Sequence, residues 1–374
     1  MRVSLCTIAH NEESVLNGLL RDIRDQNYPH NKIEVIMIDS GSTDRTHEIM
    51  EEFRDADNGF YDVKIFTIEK KNQAASWNVA IEHATGDIII RVDAHSKIPR
   101  QFVARNVFNI KEGEDIVGGG RPNICANPNP WTKTLLAAEE SLFGSSVADY
   151  RRPAAQKEYH DSLFHAAYKR EVFAKVGGFN ENLGRTEDNE LHYRIRQAGY
   201  KLCCCPEIIS FQHTRNTFKR MLQQKYGNGY WIGLTLGVCP GCLSYFHFIP
   251  FVFLLTLIAT LCVWIFSGQP VYLAILMAMY TMFNLVNTVG GFVLKKTLNP
   301  LFLLLPLLFP ILHITYGIGT LVGLVKLPFW KRSLDGSAER RIEEIKEAVK
   351  KNTVTYDRDE KDLDMKIYDR DYKR

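Results

Sequence analysis

The sequence predicts an α/β body built on a mostly parallel sheet, followed by a C-terminal α-helical membrane region and a charged tail. Two observations lead there. Short apolar runs alternate with stretches of helical spacing through residues 3–93. Between Tyr226 and Val325, 100 residues carry only two formal charges, Lys295 and Lys296, whereas 87 of the other 274 are charged, about 32%. The averages over all 374 residues (45% hydrophobic, 24% charged, net charge +3, mean hydropathy −0.17) describe neither part, but they exclude a disordered, collagen-like or disulfide-scaffold chain.

The elements follow in order. Residues 3–9 form a β-rich run; Asn11, Glu12 and Glu13 then precede Val15, Leu16, Leu19, Leu20 and Ile23 at helical spacing. Residues 34–38 make a second strand that ends at Asp39, and Ser42, Thr43 and Asp44 cap a helix running through Ile49 and Phe53. A third strand spans 63–68, a helix 74–84 carries Trp77, Val79, Ala80 and Ile81, and Gly86 turns the chain into an apolar strand over 87–92. In parallel sheets ligands bind at the carboxyl ends of strands. Four polar clusters fall there, at 9–12, 39–42, 70–73 and 93–95. No P-loop or Rossmann glycine pattern occurs at these turns, which weighs against ATPase and dehydrogenase readings.

Asp93 and His95 leave the fourth strand two residues apart. A carboxylate and an imidazole so spaced reach one divalent ion and leave positions for phosphate oxygens and water; an exposed turn would carry the same pair. Thr186, Glu187, Asp188, Asn189 and Glu190 lead into Leu191, Tyr193, Ile195 and Arg196 at helical spacing. These carboxylates read equally as an acidic helix start favoured by the macrodipole and as a general base whose neighbours shift its pKa. His213 and Arg215 suit a diphosphate, a metal or an exposed loop. Lys219, Arg220, Gln223, Gln224 and Lys225, followed by Tyr226, Tyr230 and Trp231, suit a helix at the membrane interface. The 8 cysteines are expected as free thiols: Cys203, Cys204 and Cys205 as small buried hydrophobes, and Cys239 to Cys242 as a turn lacking the second pair of a zinc site. No nucleic-acid partner is expected.

In this order the clusters resemble family 2 glycosyltransferases with the GT-A fold. The resemblance covers roughly residues 1–230. It rests on 4–9 followed by Asn11, Glu12 and Glu13; on Gln26, Asn27, Tyr28 and Pro29; on 34–44; and on Asn78. Asp93 and His95 stand at the family's Asp-x-Asp, and Thr186, Glu187 and Asp188 at its catalytic acid motif. Strings 91–95 and 187–191 are similar to membrane-bound transferases of exopolysaccharide assembly, succinoglycan type. The resemblance implies that Ala9, Glu12 and Asp39 hold the base and ribose of a nucleotide-sugar donor, commonly a UDP-sugar. Ser42, Lys71, Asn78, Asp93, His213 and Arg215 complete the donor site. It further implies that Asp93 and His95 hold Mg2+ or Mn2+, and that Asp188, beside Glu187, takes the acceptor proton.

The expected reaction is an inverting, hexosyltransferase-type transfer to a lipid-linked (polyprenyl) saccharide acceptor in extracellular or capsular polysaccharide assembly. Membrane lipids and other polysaccharide-assembly proteins are the further partners. Two departures stand out. His95 replaces the second acid, which softens the ligand set towards Mn2+. The Gln-x-x-Arg-Trp of processive synthases is absent after the acid motif, where Gln223, Gln224, Lys225 and Tyr226 stand. The alternatives are a processive polysaccharide synthase, or a non-catalytic nucleotide-sugar-binding scaffold, against which Asp93, His95 and Asp188 together argue.

Segments 246–266, 271–294 and 298–325 are 21, 24 and 28 residues long. Each exceeds the roughly 20 residues that cross about 30 Å of hydrocarbon. The expected domains are 1–216 for the GT-A body, 217–244 for an interfacial helix and linker, 245–330 for the membrane region, and 331–374 for the tail. The opening residues lack a secretory h-region, so the catalytic body is expected in the cytoplasm of a multi-pass cell-membrane protein. Three full crossings would place Lys326, Lys331, Arg332, Arg340 and Arg341 outside, against the positive-inside rule. Segment 298–325, interrupted by Pro300, Pro306 and Pro310, is therefore expected to be broken or re-entrant. Residues 337–351 suit an amphipathic surface helix with Ile342, Ile345 and Val349 on one side, and 353–374 a solvated tail.

Overall fold

Strands and helices alternate in the expected order in the computed structural model, which describes all residues except 70–71, 126, 142, 145–154, 215–216, 296–298 and 353–374. The order begins β1 (Val3–Ala9), α1 (Leu16–Arg24), β2 (Ile33–Asp39), α2 (Thr46–Asp55), β3 (Asp62–Thr67), α3 (Gln73–His83) and β4 (Ile88–Asp93). It continues β5 (Ser96–Lys97), α4 (Phe102–Lys111), β6 (Ile116–Gly120), β7 (Asn123–Ile124), α5 (Pro130–Glu140), β8 (Glu158–His160) and β9 (Ala167–Lys169). Next come α6 (Arg170–Val176), α7 (Glu187–Gln197), β10 (Leu202–Ile209), β11 (Phe211–His213) and α8 (Phe218–Thr235). The last are α9 (Ile249–Ser267), α10 (Val271–Lys295), α11 (Leu305–Arg332) and α12 (Ser337–Lys351).

Contacts divide the chain into two units. The first holds Met1–Pro122 with the described parts of Arg152–Gln212 and Gly336–Arg374; the second holds those of Asn123–Arg151 and His213–Asp335. The boundaries expected from composition were linear, whereas these units interleave.

The first unit is organised by an eight-stranded sheet of order β3-β2-β1-β4-β9-β6-β10-β8. β1 pairs in parallel with both β2 and β4, and β3 adds in parallel to β2. β9 runs antiparallel between β4 and β6. The chain therefore moves outward from β1 to β3 and returns beside β1 at β4, a switch point whose rim carries Ala9 and Asp93. β2 and β4 are buried along their whole length, which is why they read as continuous apolar runs rather than alternating ones. One face is packed by Leu16, Leu19, Ile23, Ile49, Phe53 and Phe102 of α1, α2 and α4. The other is packed by Trp77, Phe173, Leu191 and Ile195 together with Ile345 and Val349 of α12. The amphipathic tail helix is thus part of this body's core; Arg341 also reaches Glu82, and Asn352 Nδ2 donates to the Glu82 carbonyl at 2.8 Å. β10 runs through Pro206 and is irregular between Cys204 and Ile209, where a residue without an N–H is tolerated.

The second unit holds α5 and α8 to α11. Tyr245–Ser267, Val271–Phe292 and Pro300–Arg332 are long and apolar enough to cross a membrane. α8 and α11 approach closely through Gly229 and Gly233 on one helix and Gly319 and Gly323 on the other, where any side chain would strike the facing backbone. All eight cysteines are free thiols; Cys203 to Cys205 are buried in β10, and Pro240–Cys242 is a short 3-10 turn. The expected tail 353–374 and the site candidates Lys71 and Arg215 lie outside the described residues.

Candidate active site

The rim is built from loops that leave β1, β2 and β4 side by side. After β1 the backbone enters the left-handed region at Asn11 (φ 56°), a conformation asparagine tolerates. Its Oδ1 accepts from the Thr43 N–H at 2.8 Å, and its own N–H donates to Ser42 Oγ at 3.0 Å. Asp39, 3% exposed at the end of β2, accepts from the Ser42 N–H at 2.9 Å and faces His47 at 3.3 Å. The Glu12 N–H is held by Thr46 Oγ1 at 2.8 Å. Ala9, Glu12, Asp39 and Ser42 therefore form one braced pair of loops.

Asp93 ends β4 and is 5% exposed. His95 follows, its Nδ1 3.3 Å from Glu12 Oε1. β11 pairs with β5 and sets Gln212 opposite Ser96, so the Gln212 amide donates to His95 Nε2 at 2.8 Å. An amide donor there places the imidazole proton on Nδ1, aimed at Glu12. Below them His165, 4% exposed and at φ 48°, bonds Ser96 Oγ at 2.9 Å and Ser210 Oγ at 2.8 Å, with Asp93 Oδ2 at 4.0 Å. Burial and the cation of Arg121 keep this ring neutral, well below the usual histidine range.

The carboxylates of the second motif open α7. Glu187 is buried, and burial together with neighbouring Asp188 pushes its carboxyl up to about 8. Its Oε2 has no hydrogen-bond partner. Asp188 is half-buried and is also raised, by burial, while Arg91 pulls it down. Arg91 is itself 7% exposed, its guanidinium 4.4 Å from the Trp77 ring centroid and 4.8 Å from that of Phe179. A buried cation held between aromatic faces beside two carboxyls favours one charged carboxylate and one neutral acid. Tyr168 hydroxyl bonds His192 Nε2 at 2.8 Å behind them.

Asn78 is fully buried; its Nδ2 donates to the Phe179 carbonyl and to Glu181 Oε1, each at 3.0 Å, and its Oδ1 accepts from the Phe179 N–H at 2.7 Å. It braces the loop before α7. His213 ends β11, one residue after Gln212, and is grouped with the second unit. Arg91, His165 and Gln212 were missed as site residues. A lone arginine inside an apolar strand was the one available signal; the others carry none.

For a divalent metal, the described residues bring no three His, Cys, Asp or Glu side chains together. Asp93 and His95 fit a two-ligand half-site, on the condition that His95 exchanges the Gln212 amide for the ion.

A parallel-sheet switch point bearing Asp-x-His, with a carboxylate pair at a neighbouring helix start, defines a GT-A-fold glycosyltransferase. More particularly, the chain carries a family 2 domain: the model of glycosyl transferase family 2 matches residues 4–177. The chain is 26% identical over 330 residues to the dolichyl N-acetyl-alpha-D-glucosaminyl phosphate 3-beta-D-2,3-diacetamido-2,3-dideoxy-beta-D-glucuronosyltransferase of Methanococcus voltae, covering 87% of this chain and 97% of that one. It is 28% identical over 226 residues to succinoglycan biosynthesis protein ExoA of Rhizobium meliloti (strain 1021), covering 59% and 65%. Among solved structures, a mannosyltransferase of Pyrobaculum calidifontis in complex with GDP-Man and Mn2+ shares the fold, with a TM-score of 0.59 at 18% identity over 88% of this chain and 87% of that one.

Proposed function

We propose that this protein is an inverting, membrane-bound glycosyltransferase that moves a sugar from a nucleotide-sugar, a UDP-sugar in the first instance, to a lipid-linked saccharide in the assembly of a cell-surface polysaccharide. The observation that carries the reading is the joining, in one chain, of a family 2 rim to three helices long and apolar enough to cross a membrane. A water-soluble donor needs no such helices; an acceptor on a lipid does. The relative from Methanococcus voltae, matched along nearly its whole length, bears a name that places its acceptor on dolichyl phosphate. The catalytic body is assigned to the cytoplasm and the apolar helices to a multi-pass membrane part.

In the proposed reaction Asp188 accepts the proton of the acceptor hydroxyl as that oxygen bonds to the anomeric carbon. The bond from that carbon to the diphosphate oxygen breaks on the opposite face, inverting the configuration. Arg91 keeps Asp188 charged, and the neutral Glu187 beside it avoids a second negative charge. Ala9, Glu12, Asp39 and Ser42 hold the nucleoside end of the donor. Asp93 and His95 would hold Mg2+ or Mn2+, which when bound neutralises charge on the diphosphate.

Membranes containing the chain should transfer label from one member of a nucleotide-sugar panel into lipid-extractable product. Asp188→Asn should slow formation of that product by about 10²–10⁴-fold while donor binding persists, and excess chelator should stop it. A panel without lipid-extractable label would end the transferase reading; undiminished turnover in Asp188→Asn would end only the base assignment.

A further inference from the structure

We propose that α9 and α10 are the crossing pair and that α11, although long enough to cross, lies in the near leaflet beside α8 with its exposed apolar stripe against lipid. This placement rests on the membrane reading above.

The first observation is parity. α12 follows the apolar block in sequence, yet Ile345 and Val349 are fully buried in one cluster with Trp77 and Phe173, which precede it. A folded body occupies one side of a bilayer. The chain between Gln212 and Ser337 therefore crosses an even number of times, although three helices are long enough.

Packing within the second unit identifies the helix that stays. α11 meets the other two short of the hairpin tip, the Tyr280 hydroxyl of α10 bonding His313 Nδ1 at 2.9 Å. Gly317 lies against Pro250 and Leu254 in the first turns of α9, and Asn284 Nδ2 of α10 donates to the Pro306 carbonyl at 2.9 Å. From residue 255 to residue 279 no side chain of the hairpin is buried, and Phe266 at its tip is 86% exposed. At 28 residues, α11 would reach about 42 Å and cover that far half if it stood upright.

Register against α8 agrees. The two helices run in the same direction, with Tyr226 over Gly319, Tyr230 over Gly323 and Gly237 against Leu327. Earlier in α8, Met221 shares a cluster with Leu308, Phe309 and Leu312. Exposed Lys219 and Arg220 therefore fall beside the middle of Pro300–Arg332. An upright α11 would carry both cations to the centre of the hydrocarbon, where charge is strongly disfavoured. Lying flat, it leaves them, with exposed Lys326, Lys331 and Arg332, at the level of anionic headgroups. Leu303, just before α11, and Leu307, Ile311, Ile318, Val325 and Phe329 are its exposed large hydrophobics, and their spacing puts them on one side of the helix.

The test is sided labelling of membrane vesicles with an impermeant maleimide, read peptide by peptide to set aside the native cysteines. Gln269→Cys, in the α9–α10 turn, should label only from outside, and Ser333→Cys, just beyond α11, only from inside. Outside labelling of Ser333→Cys, with Gln269→Cys also outside, overturns the placement of α11 and leaves the hairpin intact. Inside labelling of Gln269→Cys instead defeats the membrane reading itself. Nitroxides at Ile311→Cys, Ile318→Cys and Val325→Cys give a second measurement. One shared shallow depth is expected, and a steady passage through the bilayer centre overturns the proposal.

Discussion

Glu34 stands second in β2, near the amino ends of the parallel strands, whereas Glu187 opens α7, within electrostatic reach of Asp93 at their carboxyl ends. They are almost equally buried, at 0% and 3% exposure. Glu34 accepts from Ser4 Oγ and the Thr85 N–H, from Thr85 Oγ1 at 2.9 Å, and from the Gly86 N–H and Lys64 Nζ at 3.0 Å each. Burial pushes its carboxyl up, but these donors more than offset that and leave it below the ordinary range. Glu187 has no comparable set of donors, and burial with Asp188 raises it to about 8. Burial is common to both; the supply of donors decides which way each titrates. The amino edge is electrostatically finished. The carboxyl edge is not, and a ligand would complete it.

The contrast can be broken most sharply at Asp188. Asp188→Asn should lower turnover by about 10²–10⁴-fold with donor affinity unchanged, read from initial rates and a donor titration. Glu34→Leu should act on stability instead. Leaving Lys64, Ser4 and Thr85 without their acceptor costs about 3–5 kcal/mol, measurable by pulse proteolysis, while the rate per folded molecule holds. A pure loss of rate in that variant would erase the distinction between the edges.

The pH dependence then sharpens it. Folded Glu187 titrates above its ordinary value of 4.5, so its stabilising contribution is complete below pH 4.5 and disappears as pH rises towards 8. Glu187→Gln should match the parent's Tm below pH 4.5 and exceed it by a growing margin up to about pH 8. Glu34 runs the other way: its contribution is present above pH 4.5 and is lost as pH falls through its lowered folded value. The smallest effect is expected at Gln212. Gln212→Leu frees His95 Nε2, so the Mn2+ concentration for half activity should fall by less than about tenfold. A rise would mean that Gln212 orients the ring rather than competing for it.

Elements whose cause is local were legible. The run 34–38 needed no partner to read as a strand, because a doubly covered parallel strand is apolar throughout. The placement of Asp93 at a strand end and of Asp188 at a helix start was legible from periodicity. His165 was not: its bonds run to Ser96 and Ser210, 69 and 45 residues away. The partners of Asn78 were not legible either, because a polar residue in a helix reads alike whether it faces solvent or, as here, the backbone of Phe179. For α12, the amphipathic pattern predicted a surface helix without its partner, and Trp77, Phe173 and their neighbours supply it.

The sequence by itself determined the class of fold, the separation of a charged body from a nearly uncharged block, and the residue types available at the rim, since these follow from periodicity and composition. Tertiary structure alone decided that the Glu187 carboxyl is pushed up and that of Glu34 held down, that Gln212 meets His95, and that α12 packs into the first unit. Those depend on donors and apolar surfaces brought together from distant positions, and neither charge state nor docking partner is a property of a residue read alone.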